Sequence, residues 1–156
     1  TLFVSGCDHY CNGCQNPETW DTKSGIPFDN TAIEEIFKQL DNDYISGITF
    51  SGGDPLNENN RVEVCSLISK IKSRYGNSKS IWIYTGYTWN EIIEEAFPIL
   101  TDILLNTNVI VDGMFQKDLA DVNYHWAGST NQRVIDVQRS LEEKKIVLYK
   151  DGINND

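Results

Sequence analysis

The sequence has no uninterrupted apolar run of the ~18 residues that a membrane-crossing helix requires, so no stretch of it reads as a membrane span. Positive charge is also scarce: 13 Lys and Arg stand against 23 Asp and Glu, a formal net charge of −10. Proteins that wrap a nucleic-acid backbone cluster lysine and arginine on one face, which excludes nucleic acid as an expected partner. Cysteine is sparse as well. There are four in 156 residues, too few for a disulfide-stapled secreted scaffold. No low-complexity tract and no long linker interrupts the chain, so residues 1–156 read as one domain, long enough to bury a core. The first residue is Thr1 and "TLFVSG" already has strand character. The natural N-terminus is therefore expected to lie upstream, and inspection leaves a targeting peptide open.

What is present alternates. Five apolar runs have the character of buried strands: "LFVS", "GITFS", "SIWIYT", "NVIVD" and "KIVLY". Between them lie helical patterns. "NTAIEEIFKQL" sets Ile33, Ile36, Phe37 and Leu40 on one face, with Asn30 or Thr31 as its cap. "RVEVCSLISKIKSRYG" aligns Val64, Leu67, Ile68, Ile71 and Tyr75 and places Gly76 just past its end. "TWNEIIEEAF" opens on a Thr88-to-Glu91 capping box and stops at Pro98. Beyond Gly113 the pattern loosens, with "RVIDV" a further strand candidate and "SLEE" a second capping box. Strands alternating with amphipathic helices predict an α/β fold with a mainly parallel sheet. The chain is too short for a closed eightfold barrel of roughly 250 residues, and a partial, open (βα) barrel or a short parallel sheet fits it.

Four of the strands end alike, on a small polar residue followed by glycine: Ser5-Gly6, Ser51-Gly52, Thr85-Gly86 and Asp112-Gly113. Ligands of parallel α/β sheets gather at the carboxyl ends of the strands. One such pair is an ordinary turn; four at equivalent positions point to a shared ligand site. "FSGGDPL" (Phe50 to Leu56) adds a bend with exposed backbone groups and a carboxylate, which suits an ammonium-bearing ligand.

The cysteines are distributed unevenly. Cys7, Cys11 and Cys14 follow the first strand directly, and Cys65 stands apart within a helix. Close spacing on one loop lets several thiolates bind one iron–sulfur cluster. With three of them on a four-iron cluster, one iron stays free of protein and available to a small molecule. Zinc held by Cys7, His9, Cys11 and Cys14 is a cramped alternative, since structural zinc sites usually draw on separated segments. An electron-transfer cluster that recruits Cys65 is another, although Cys65 has the character of a half-buried small hydrophobe. A disulfide pair with one free thiol would need an oxidising compartment, for which nothing else argues. The open-site cluster is the best of these readings, and it implies a reducing compartment, the cytoplasm.

Cys-x3-Cys-x2-Cys after the first strand, with Gly-Gly-Asp-Pro after the second, resembles the radical S-adenosylmethionine (SAM) superfamily. Gly13 stands where that superfamily usually has an aromatic residue before the third cysteine. Cys11-x-Gly13-Cys14-x-Asn16 followed by Thr19-Trp20 is instead similar to the activating enzymes of anaerobic ribonucleotide reductase. "YTGY", "VDGMF" and "GSTNQR" extend that resemblance over nearly the whole chain. It implies a [4Fe–4S] cluster held by Cys7, Cys11 and Cys14. SAM is the second implied cofactor, its amino and carboxylate groups on the fourth iron. Gly13 and Gln15 would lie near the adenine through backbone groups, Cys14 between them would border the cofactor, and Gly52, Gly53 and Asp54 would meet the ammonium. Asp112 is a candidate for a ribose hydroxyl or the ammonium and is equally suited to be a turn-forming aspartate. Thr85 and the Ser129–Arg133 loop belong to the pocket or to the partner surface. His9 and His125 read as loop hydrogen-bonders, and Tyr10 and Trp20 as shields of the cluster, although a strand-end aromatic is usually core. The implied reaction cleaves SAM reductively, and the 5′-deoxyadenosyl radical takes a hydrogen atom from one glycine of the anaerobic ribonucleoside-triphosphate reductase. No general acid or base is required. A reduced flavodoxin-like protein is the implied electron donor, and a homodimer or a complex with a dimeric reductase is left open.

Overall fold

A computed structural model describes residues 1–14, 16–95, 97–124 and 126–150. Five strands form one sheet in sequence order: β1 (Leu2–Val4), β2 (Gly47–Gly52), β3 (Ser80–Tyr84), β4 (Val109–Asp112) and β5 (Arg133–Asp136). The first four are parallel, and β5 runs antiparallel to β4 with Ile110 opposite Ile135. The fold is therefore α/β with an open, mostly parallel sheet. Among the described residues no helix is long and apolar enough to cross a membrane.

Alternation along the strands decides which face is buried. Ile48 and Phe50 of β2, Ile81 and Ile83 of β3, Ile110 of β4 and Ile135 of β5 all enter one core cluster. The helices that cover this face are α1 (Asn30–Leu40), α2 (Arg61–Tyr75), α3 (Trp89–Glu95) and α4 (Pro98–Leu105), with α5 (Val137–Glu143) beyond β5. The expected apolar stripe of α2 is buried as Val64, Leu67, Ile68 and Ile71, with Tyr75 at its edge. On the other face Trp82 meets Trp126 and Tyr149 edge-on, at centroid distances of 5.2 and 5.1 Å. Ile83 is fully buried and Ile93 of α3 is 43 % exposed. Ile83→Ala is expected to cost about 2–5 kcal/mol in urea unfolding and Ile93→Ala less than about 1 kcal/mol; equal losses would contradict this assignment of the core.

Several boundaries differ from the sequence-based expectation, each for a local reason. Asp29 rather than Asn30 or Thr31 caps α1, its carboxylate accepting from the Ala32 N–H. Pro98 follows the end of α3 as expected but also opens α4, because proline at the first helical position gives up no intrahelical bond. Asp136 caps α5, which leaves Ser140 inside that helix instead of starting it. "RVIDV" does supply a strand. "KIVLY" was expected as a full strand and contributes a single bridge, Leu148 to Ile135, since the short β5 gives way at once to α5.

Candidate functional site

The loop that carries the three cysteines leaves β1 through Gly6 (φ 106°) and closes on itself. The Gly6 N–H donates to the Thr19 carbonyl (2.6 Å) and the Cys7 N–H to that of Trp20 (3.1 Å). Beside it, the turn after β2 continues the pairing: the Gly53 N–H donates to Val4 (2.7 Å) and the Asp54 N–H to Gly6 (2.8 Å). A Cβ on Gly53 would lie 2.6 Å from the Gly6 carbonyl oxygen and 2.9 Å from that of Thr19. The two backbones cross here with no room for a side chain.

A cleft opens over these turns. Cys7, Cys11 and Cys14 line one wall, Ser51, Gly52 and Gly53 the end of β2, Thr85 and Gly86 the end of β3, and Gly113 the end of β4. Three of the four strand-end Gly motifs thus face one space. The fourth does not: Ser5 and Gly6 brace the base of the loop, with the Ser5 hydroxyl donating to Ser24 O (2.6 Å). Phe115, Gly128 and Gln132 complete the far wall. Of the aromatic residues expected as shields, Trp20 lines the cleft, and Tyr10 stands edge-on to it at 5.2 Å. Gly13 adopts φ 76°, and its missing side chain leaves space occupied by Lys117. Gln15 and His125 lie outside the described residues.

The two candidate acids occupy different surroundings. Asp54 is 1 % exposed and accepts from the Leu56 and Gly86 N–H groups, the Thr85 hydroxyl and His9 Nε2. Asp112, also 1 % exposed, sits beneath the cleft. Its Oδ2 accepts from Arg133 (2.6 Å) and the Trp89 N–H (2.8 Å), and its Oδ1 accepts from the Arg133 backbone N–H and Nε. That pairing pushes the Arg133 pKa up.

The donor chemistry fits an iron–sulfur cluster. Three half-buried thiols from one loop face a common space. Burial pushes the Cys7 thiol up to about 11 and raises Cys11 as well. Ligation needs thiolates, so cluster assembly expels protons. Backbone N–H groups already point at sulfur: that of Asn16 donates to Cys14 Sγ at 3.4 Å, and those of His9 and Phe115 hold down the rise at Cys7 and Cys11. Trp20 Nε1 is a buried donor without a protein partner. Cys65 is half-buried on α2, packs against the core and does not line the cleft. The His9 ring, a ligand in the zinc alternative, is committed to Asp54.

Sequence reasoning missed Asn57, which is 1 % exposed and donates to Asp8 at 3.0 Å, and Asn60, which donates to Ser5 O and Asp54 O. The run "NENN" after "GGDPL" was their only signal.

Comparison with known proteins supplies the context for this geometry. Residues 1–135 match the family described as a 4Fe-4S single cluster domain. The anaerobic ribonucleoside-triphosphate reductase-activating protein of Enterobacteria phage T4 is 39% identical over 133 residues, 85% of this chain and 80% of its own. The protein of the same name from Escherichia coli (strain K12) is 40% identical over 136 residues, 86% of this chain and 85% of its own. That of Pasteurella multocida (strain Pm70) is 38% identical over 134 residues, 85% and 83% of the two chains. No solved structure gives a significant match.

Proposed function

The chain belongs to the 4Fe-4S single cluster domain family and to the anaerobic ribonucleoside-triphosphate reductase-activating proteins, and from that membership we propose that it is a radical SAM enzyme that installs a glycyl radical on such a reductase. The observation that carries this reading is the convergence of Cys7, Cys11 and Cys14 on a cleft that Cys65 does not line. Cys7, Cys11 and Cys14 hold a [4Fe–4S] cluster, with one iron left to SAM. With SAM bound there, a reduced cluster would supply the one electron for reductive cleavage of SAM, the chemistry by which a hydrogen atom would be removed from a glycine of the reductase.

The protein's own part is to bind, orient and exclude solvent. Gly52, Gly53 and Asp54 form the turn that meets the SAM ammonium. Backbone carbonyls are its acceptors, because the Asp54 carboxylate is already engaged. By family resemblance, backbone groups of Gly13 and Gln15 serve the adenine, and Cys14 borders the cofactor. Asp112 acts through the strand end it fixes, with Gly113 presented to the cleft. In this reading residues 1–156 are one radical SAM domain and the open sheet is a partial (βα) barrel. The enzyme is cytoplasmic, takes its electron from a reduced flavodoxin-like donor and works as a homodimer or in complex with a dimeric reductase.

Anaerobic reconstitution with iron and sulfide, then SAM and a reductant, tests the activity. The expected products are 5′-deoxyadenosine and, with reductase added, a glycyl-radical signal in electron paramagnetic resonance. An intact reduced cluster that leaves SAM uncleaved would reduce the protein to an electron-transfer module, and cleavage without a radical on the reductase would redirect the substrate. Cys65→Ser is expected to keep the wild-type iron chromophore, since that thiol lies on the rim of the core. Bleaching of the chromophore would restore a four-cysteine cluster.

A further inference from the structure

Asp54 is the most heavily engaged side chain of the site. Its Oδ1 accepts from the Leu56 N–H (2.9 Å) and Thr85 Oγ1 (2.8 Å). Its Oδ2 accepts from His9 Nε2 (2.6 Å) and from the Gly86 N–H and Thr85 Oγ1 (both 3.0 Å). A carboxylate offers about four lone-pair directions, so these donors saturate it. All but one come from the turns that end β2 and β3. The exception is His9, midway between Cys7 and Cys11.

The place that receives the His9 ring is shaped for it. Gly86 forms one wall, where a Cβ would lie 2.4 Å from the imidazole. Tyr87 forms another, edge-on with centroids 4.7 Å apart at 76°. Asp54 closes the bottom, and Cys7 Sγ, a His9 ring nitrogen and an Asp54 oxygen all lie within 4.8 Å of one another. The loop itself has little internal support. Among the described residues the stretch from Cys7 to Cys14 holds one backbone–backbone bond within itself, Cys14 N–H to Cys11 O, and Tyr10 takes a left-handed φ of 50° that residues with a Cβ seldom adopt. Besides the Cys7 tie to Trp20 at its base and the Phe115 N–H at Cys11, its side chains reach outward through Asp8 to Asn57 and His9 to Asp54.

We infer that His9 is a positioning residue for the iron–sulfur cluster: its Nε2–H bond to Asp54 latches the middle of the cysteine loop onto the ends of β2 and β3 and fixes where Cys7 and Cys11 stand. The Gly-Gly-Asp acid thus serves the cluster loop as its anchor. This inference rests on Cys7, Cys11 and Cys14 being the cluster ligands.

The test compares wild type, His9→Gln and His9→Phe after anaerobic reconstitution, following the loss of the iron–sulfur chromophore to a chelator. Glutamine can place an amide donor near the Nε2 position; phenylalanine keeps a ring against Gly86 and Tyr87 but donates nothing. Removing an outer partner of a metal ligand typically weakens binding by about 10–100-fold. The Phe variant is therefore expected to lose its cluster at least about ten-fold faster and to show a broadened reduced-cluster resonance signal, with the Gln variant at the wild-type rate. A Phe variant that holds its cluster like wild type overturns the inference, and so does a Gln variant as leaky as Phe. If the Phe chain does not fold, His9→Asn replaces it: this side chain is too short to reach Asp54 and must lose the cluster about ten-fold faster than Gln, and equal rates overturn the latch. The readout is cluster retention, so failure of the wild type to cleave SAM would count against the proposed activity alone.

Discussion

Cys11→Ser will bleach the iron–sulfur chromophore and abolish 5′-deoxyadenosine formation. Outer-sphere partners of metal ligands are worth roughly 10–100-fold, so loss of a direct thiolate ligand should cost at least about 100-fold in SAM cleavage. Serine is close in size, so packing alone does not account for such a loss. Cys11 is half-buried and lines the cleft, and no other cysteine of the described residues stands ready to replace it: Cys7 and Cys14 are the other two proposed ligands, and Cys65 sits on α2. Iron per chain, sulfide per chain and nucleoside product measured together check the expectation. A serine variant that retains both the cluster and cleavage would remove Cys11 from the ligand set.

The second large effect belongs to Gly53. Its missing Cβ is the condition for the turn after β2 to cross the base of the cysteine loop, because the atoms it would strike are backbone: Gly6 O at 2.6 Å, Gly6 N and Thr19 O at 2.9 Å. No side-chain rotamer can relieve that overlap. Gly53→Ala is expected to lose about 3 kcal/mol in urea unfolding, at the upper end for overpacking, and to impair cluster uptake as the loop is pushed from β2. Gly76→Ala serves as a comparison. Gly76, unlike Gly53, has a positive φ, 58°, but nothing within 4 Å of its would-be Cβ, so its cost should stay at the roughly 1–2 kcal/mol of a left-handed backbone. A loss at Gly53 no larger than that at Gly76 would show that the crossing tolerates a side chain.

Much of the fold was legible because its signals are local. The apolar runs of β2, β3 and β4 and the stripe of α2 each fall within a dozen or so neighbouring residues, and the structure builds them at those places. The misplaced features depended on distant partners. α4 was hidden behind Pro98, which read as a stop and is also a start. The direction of β5 follows from its pairing with β4, which no short window of sequence encodes. The same division runs through the site. Three cysteines and a Gly-Gly pair announce themselves by spacing, and Gln132 falls in the Ser129–Arg133 loop that the resemblance assigned to the pocket or the partner surface, whereas Phe115 and Gly128 reach the cleft only through the sheet order. Asp112 is instructive. From sequence it is equally a strand-end acid for a ligand and a turn-forming aspartate; in the structure Arg133, on the neighbouring antiparallel strand, bonds both of its oxygens. His9 read as a loop hydrogen-bonder, and it is one, but nothing in "CDHYC" tells that the acceptor is a buried carboxylate 45 residues away.

The cysteine loop is tied off at its base, by Gly6 to Thr19 and Cys7 to Trp20, and none of its three thiols enters the hydrophobic core. The scaffold therefore does not depend on iron for its shape, unlike small metal-organised domains that unfold when stripped. In the proposed reading, loss of the cluster would be an injury to one appendage, with the sheet and its covering helices left in place.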